Sequence, residues 1–366
     1  MAFAIVTDSS SNLTEEVIDQ FDLHILPLTF MVDGEEHHSY LKGHKTDLKQ
    51  FYTMMREGKV ITTSLPNLKD SRELLEGLLA SGEDVLYIGF SSGLSGTYQA
   101  IDLLLAELAD AYPDRTVLSV DTLAASLGEG LLVWYAAKMR EEGKGIQEVC
   151  DWLEANKLHL AHWFTVDDLM FLFRGGRVSR TSAWAGTLLN IKPVMHVDDE
   201  GHLIPLEKVR GRKKSLKALV DHMEQTATAP VADQTVFITH GDCIEDAEYV
   251  ADLVRERFGV TDILINYVDP VIGAHSGPGT MALFFLASER LRRLSATVGR
   301  AGHPAGGPGR LLRLRRAAGS PGLAGQARHR RRRRGRPRSR LHLLLRGPRL
   351  RGAQRHGLVA GARAVP

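Results

Sequence analysis

Cysteine is scarce in this 366-residue chain: Cys150 and Cys243 stand far apart and in no metal-ligand spacing. Two such residues exclude a disulfide framework and a cysteine-rich zinc site, and they suit a reducing cytoplasm. Long hydrophobic runs are also missing. No stretch approaches eighteen consecutive uncharged apolar residues, so no membrane span is expected. The opening "MAFAIVTDSSS" has no basic region before its short apolar run and reads as a first buried strand, not a secretion signal. His37, His38, His44 and His240 show neither HExxH spacing nor a Cys partner, so no metal is expected. GxGxxG and a P-loop lysine are absent too, which removes the common nucleotide-binding fingerprints.

Acid is missing from one region altogether. From Leu291 onward there are 21 arginines and no Lys, Asp or Glu, which leaves 25 basic against 44 acidic residues in 1–290, a net charge of −19. The near-neutral total of +2 therefore averages an acidic body and an extremely basic tail. The tail also lacks Ile, Phe, Tyr, Trp, Met, Asn and Cys, and it contains "RHRRRRRGRPRSR". Such charge density would bind polyanions regardless of sequence. Its residues are also those that GC-rich codons supply. We read 291–366 as a disordered segment produced by a change of reading frame near residue 290, and expect no nucleic-acid partner.

What is present in the body is an alternation of apolar runs and amphipathic segments. "FAIVTDSS", "LHILPLTFMV", "DVLYIGF" and "RTVLSVD" read as strands. "TEEVIDQF", with Thr14 at its N-cap, "DLKQFYTMMREG", "DSRELLEGLLASG", "TYQAIDLLLAELADAY" and "LGEGLLVWYAAKMREEG" read as helices. Ile101, Leu104, Leu105 and Leu108 fall on one face of the fourth of these. This pattern predicts an α/β fold whose first domain is a mostly parallel sheet with helices on both faces. The later half differs. "HLAHWFTV" and a hairpin turning at Asp198–Gly201 are followed by the helix "RKKSLKALVDHMEQTA", the strand "QTVFITHGD" and the helix "EDAEYVADLVRERFG". "DILINYVDPVIGAH" reads as a last long strand. We expect a second α/β domain with a mixed or antiparallel sheet, giving domains 1–155 and 156–290 ahead of the tail.

The chemistry concentrates in three hydroxyl-bearing or histidine-bearing segments. "FSSGLSGTYQA" places Ser91, Ser92, Ser95 and Thr97 with Gly93 and Gly96 between a strand and a helix. Ligands sit at the carboxyl ends of strands in open α/β sheets, and a helix start favours an anion. Ser95 or Thr97 could equally serve as a plain N-cap. A nucleophile elbow would read G-x-S-x-G, and here the second glycine arrives one residue early. "VITTSLPN" adds Thr62, Thr63 and Ser64 ahead of Pro66, and "VIGAHSGPGT" places His275 before a Gly-Pro-Gly turn.

Together, "IVTDSSSNL", "TTSLPN", "SSGLSGTYQA", "VDTLAASLGEG", "FLFRGGRVS", "NIKPV" and "VIGAHSGPGTMALFF" resemble, in content and order, the DegV family of bacterial fatty-acid-binding proteins. The resemblance covers residues 1 to about 289. Leu65 departs from it, since the family usually has Gln there, and the tail has no counterpart. It implies a non-enzymatic protein of two α/β domains with a long-chain fatty acid held between them and no cofactor. Thr63 and Ser95 would bind the carboxylate with His275 beside them, supported by Ser64, Ser92 and Gly96. It further implies an ATP-dependent fatty acid kinase partner that phosphorylates the bound acid for phospholipid synthesis. Burial of roughly fourteen methylenes at about 0.8 kcal/mol each would supply most of the affinity.

Residues 170–217 form a basic island in the acidic body: Arg174, Arg177, Arg180, Lys192, Lys208, Arg210, Arg212, Lys213, Lys214 and Lys217 stand against four acids. A solvated face would account for it. So would a surface for a kinase partner or a peripheral membrane contact, with Arg174 and Arg177 facing the partner. The competing reading is a serine hydrolase using Ser95, His275 and an acid such as Asp121.

Overall fold

The computed structural model describes residues 3–44, 46–179 and 190–288. The expectations placed on Arg180 and on 291–366 lie outside the described residues. The first half runs β1 (Phe3–Asp8), α1 (Glu15–Gln20), β2 (His24–Leu26), β3 (Thr29–Val32), β4 (Glu35–His38), α2 (Leu48–Arg56), β5 (Ile61–Ser64), α3 (Leu68–Ala80), β6 (Asp84–Gly89), α4 (Thr97–Ala111), β7 (Val117–Asp121), α5 (Leu127–Glu141) and α6 (Ile146–Asn156). A short 3-10 turn then leads to β8 (Leu160–Thr165), α7 (Met170–Arg174), β9 (Ile191–Val197), β10 (Leu203–Arg210), α8 (Arg212–Thr226), β11 (Val236–His240), α9 (Ile244–Phe258), β12 (Ile263–Tyr267), α10 (Pro270–Ser276) and β13 (Met281–Leu286).

The first sheet is all parallel, ordered β2-β1-β6-β7. β1 and β6 are neighbours whose chains leave toward opposite sides. The crevice between their carboxyl ends is thus a topological switch point, where such sheets hold ligands. One face packs on α3 and α4 through Leu75, Leu79, Ile101, Leu104, Leu105 and Leu108. The apolar stripe read on α4 is the stripe that is buried. The other face packs on α1, α5 and α6.

α5 also packs against β8, β11 and β13 of a second sheet, ordered β10-β9-β8-β13-β11-β12. That sheet is antiparallel except for β11 and β12, and is therefore mixed. Its far face is covered by α8 and α9. Being sandwiched explains the composition of α5, which buries Leu127, Leu131, Leu132, Val133, Ala136 and Ala137 on several sides rather than along one stripe.

Two readings are corrected and one segment gains a strand. "LHILPLTFMV" is two strands, broken at Pro27; β2 joins the parallel sheet, while β3 joins a small antiparallel sheet, β4-β3-β5. "VITTSLPN", noted above only for its hydroxyls, carries strand β5. "DILINYVDPVIGAH" is not one strand: β12 stops at Tyr267 and α10 begins at Pro270. Asp269 is its N-cap, accepting the N–H groups of Val271 and Ile272. An N-cap aspartate followed by proline at the first helical position is a helix start, whatever the apolarity around it.

Candidate fatty-acid site

A cavity of about 290 Å³ opens beside the carboxyl end of β6 and reaches between the two large sheets. Leu28, Phe90, Phe164, Leu172, Val271 and Phe284 supply much of its apolar wall. Thr63, Ser64, Ser95, Gly96, Arg177 and His275 also line it. Ser64 and Gly96 are exposed, and Thr63, Ser95, Arg177 and His275 are half-buried, so this polar group marks the mouth.

Thr63 reaches the site because β5 alternates. Ile61 and Thr63 turn inward while Thr62 and Ser64 are exposed, and Thr63 stands opposite Phe30 on β3. Its Oγ1 lies 2.8 Å from His275 Nε2. The other ring nitrogen, Nδ1, faces Arg177 Nη1 at 3.5 Å. A guanidinium can only donate, so Nδ1 is the acceptor and the ring proton sits on Nε2, donating to Thr63. Thr63 then has its own hydroxyl proton free for the cavity. Burial, reinforced by the charge of Arg177, pulls the His275 pKa down to about 4, so the ring is neutral near pH 7.

Arg177 departs from the partner-facing role expected of it. It lines the cavity, with Nε donating to Leu94 O at 3.2 Å and Nη1 to Gly175 O. Burial lowers its pKa, and no carboxylate among the described residues pairs with it. A half-buried cation without an acid raises the potential of the mouth toward anions. Arg174 is exposed, its guanidinium over the Phe171 ring at 4.6 Å. Gly175, between them, lies so close to His275 that a Cβ there would collide with Nδ1.

The serine loop divides its hydroxyls. Ser91 is buried and donates to Gly201 O of the β9–β10 hairpin at 3.0 Å, where a side chain on Gly201 (φ 81°) would strike Ser91. Ser92 is not in the cavity wall; its N–H donates to Asp121 Oδ1 at 3.1 Å. Gly93, Leu94, Ser95 and Thr97 donate their N–H groups to oxygens within the loop. Those backbone donors are spent, so the loop presents hydroxyls and not a phosphate cradle. Ser95 Oγ accepts from Thr97 N–H at 3.2 Å and lies 2.9 Å from Thr97 Oγ1. When Thr97 donates, the Ser95 proton is free for a ligand.

Several supporting groups were not singled out from the sequence. Asp8, fully buried at the end of β1, accepts from Tyr87 Oη (3.0 Å), Phe90 N (3.1 Å), Ser10 N (3.1 Å) and the Ser10 hydroxyl. It thereby pins the start of the serine loop. Ser10 Oγ also lies 2.9 Å from Glu129 Oε2, and Thr7 donates to Glu129 Oε1 at 3.0 Å. One serine proton cannot serve two carboxylates. Glu129, pushed up by burial and the nearby Asp8, is the protonated member and donates to Ser10. Ser276 is buried in the cavity wall with no hydrogen-bond partner for its hydroxyl among the described residues, and it offers a further hydroxyl to the cavity. The run "IVTDSSS", polar directly after a strand, was the available signal for Asp8 and Ser10.

The hydrolase reading fails on geometry. His275 pairs with Thr63, Ser95 pairs with Thr97, and Asp121 Oδ1 accepts the N–H groups of Ser92 and Leu123. These three groups form no proton relay. His275 also sits on the last turn of a helix, not at a strand end.

A family model described as "Uncharacterised protein, DegV family" matches residues 2–288. A DegV domain-containing protein of Clostridium perfringens is 45% identical over 288 residues, covering 79% of this chain and 98% of that protein. A solved structure described as "Fatty Acid Binding of a DegV family Protein from Thermus thermophilus" is similar with a TM-score of 0.69 and 29% identity, over 78% of this chain and 100% of that one. Another, "DegV, a fatty acid binding protein from Bacillus subtilis", gives a TM-score of 0.67 and 28% identity, over 78% and 99% of the two chains. With a family model spanning the body and a curated relative at this identity, the chain belongs to the DegV family.

Proposed function

We propose that this chain binds one long-chain fatty acid between an N-terminal unit of residues 1–155 and a C-terminal unit of 156–290. Thr63 and Ser95 donate to the carboxylate, and the acyl chain fills the apolar cavity. The carrying observation is the polarity of the mouth, where Arg177, neutral His275 and Thr63 form a chain of donors aimed at the cavity. The fatty-acid binding named for the Thermus and Bacillus relatives supports the same ligand. Hydroxyls make the contacts, while the cation acts from behind the imidazole and leaves the carboxylate without a bidentate ion pair.

That arrangement suits a second step. A carboxylate oxygen, exposed at the mouth, attacks the γ-phosphorus of ATP held by a kinase partner; ADP leaves and an acyl phosphate remains on this chain. Arg174 precedes the Gly175 that lies against His275, so it is an exposed cation beside the mouth and suits a partner contact. Leu65, 44% exposed, and Leu68, 47% exposed, follow Thr63 in sequence and suit a peripheral membrane contact during loading.

The experiment is a titration of lipid-free protein with stearic acid, stearyl alcohol and methyl stearate. Binding the acid at least about tenfold tighter than the neutral analogues is expected, since one charge-assisted hydrogen bond is worth about 1.5–3 kcal/mol. Equal binding of all three would overturn the head-group assignment. Arg174→Glu is expected to lower acyl-phosphate formation with ATP and a bacterial fatty acid kinase subunit while fatty-acid binding is kept.

A further inference from the structure

The cavity carries polar side chains away from the mouth as well. Ser126, His162 and Thr239 line it from the residue before α5, from β8 and from β11, and all three are buried. On the second sheet Thr239 stands opposite Ala282 of β13, which stands opposite Phe164 of β8. The small Ala282 side chain leaves room beside the Thr239 hydroxyl, where a larger residue would fill the space.

α10 places this group relative to the mouth. His275 lies in its last turn. At the other end, Asp269 donates its N–H to Asn12 Oδ1 at 3.3 Å, and the same oxygen accepts the Ser126 hydroxyl at 2.7 Å. A rise of about 1.5 Å per residue separates the two ends by about 9 Å. An acyl chain anchored at Thr63 would therefore pass Thr239 near its middle.

Proton counting fixes the polarity there. Asn12 Nδ2 donates to Ser9 O, which fixes its Oδ1 as the acceptor toward Ser126, and the Ser126 hydroxyl donates to that oxygen and, at longer range, to Thr239. Thr239 Oγ1 accepts across its 3.1 Å contact with Ser126 Oγ. Its own hydroxyl proton remains, on a side chain that lines the cavity. Ser126 holds this geometry with φ 57° and ψ −150°, a backbone conformation that side-chain-bearing residues rarely adopt and that clusters at functional sites.

We propose that Thr239, set by Ser126 and Asn12, is a donor subsite for the oxygen of a hydroxyl group near the middle of the acyl chain. The protein then prefers mid-chain hydroxylated fatty acids over unsubstituted acids of equal length. This rests on the fatty-acid reading above and deepens it: donors at the mouth take the carboxylate, and one further donor at mid-chain takes a hydroxyl.

The test is competition binding to the lipid-free full-length protein by stearic acid and its 3-, 10- and 18-hydroxy derivatives. The 10-hydroxy acid is expected to bind about fivefold or more tighter than stearic acid, with no such gain for the other two. Thr239→Val should abolish that advantage, so that the variant binds the 10-hydroxy acid and stearic acid alike. A wild-type protein that binds the 10-hydroxy acid no better than stearic acid overturns the subsite, as does an advantage that survives Thr239→Val. If the variant fails to fold, the wild-type position series decides alone. Failure to bind stearic acid at all would instead strike the fatty-acid reading.

Discussion

Thr63 and Ser95 are plain hydroxyls given direction by what stands behind them. Loss of either donor, in Thr63→Val or Ser95→Ala, should weaken stearic acid binding about tenfold or more in a calorimetric titration, with the melting temperature little changed. His275 supplies a pH test. Its folded value of about 4 lies below the ordinary 6.5, so between those values the unfolded chain binds more protons than the folded one. Stability fully present above pH 6.5 is therefore lost as pH falls toward 4. His240, lowered to about 4 mainly by burial, acts in the same sense. The buried acids Asp8, Glu129 and Asp269 are raised and act in the opposite sense, penalising the fold as pH rises. Comparing wild type with His275→Gln isolates the one histidine: the variant should lose less melting temperature between pH 6.5 and 4, and an equal loss would contradict a neutral buried ring. At this scale the sequence displayed residue types but not their orientation. Arg177 reads as a partner-facing charge of a basic run, and only the turn at Gly175 and Gly176 brings its guanidinium behind His275.

Elements were legible where periodicity was strong. α4 shows one clean apolar face and packs by it, and α1 is capped by Thr14 as its sequence suggests. α10 and the small sheet were harder to see. "DPVIGAH" is apolar enough to pass for strand, and β3, β4 and β5 are four residues each, too short for alternation to stand out. β13 was not read as a strand, yet it forms the centre of the second sheet and carries Ala282 and Phe284 into the cavity wall. α5 is the element that ties the two sheets together, which gives a stability contrast. Leu131→Ala, in a fully buried position on α5, should cost about 2–5 kcal/mol in chemical denaturation. Leu103→Ala, on α4 at 69% exposure, should change stability by less than about 0.5 kcal/mol. Similar costs at both positions would contradict a central, sandwiched α5.

At the scale of the whole molecule, the segments of the polar cavity mouth stood out in the sequence and the apolar wall did not. The mouth segments lie in compact motifs, whereas the apolar wall draws single residues from Leu28 to Phe284 and from both large sheets. No periodicity marks such a wall, because each of its residues also obeys the pattern of its own strand or helix. The family match ends at residue 288, and the site's residues all precede it. A chain ending at Arg290 should therefore keep its fatty-acid content, measured by lipid extraction. The most direct measurement of the central claim is mass spectrometry of lipid extracted from the full-length protein purified from a bacterial host, followed by rebinding to the stripped protein. About one long-chain fatty acid per chain, restored on rebinding, is the expected result. Protein that arrives without fatty acid, and takes up none when stripped and offered it, would contradict the account.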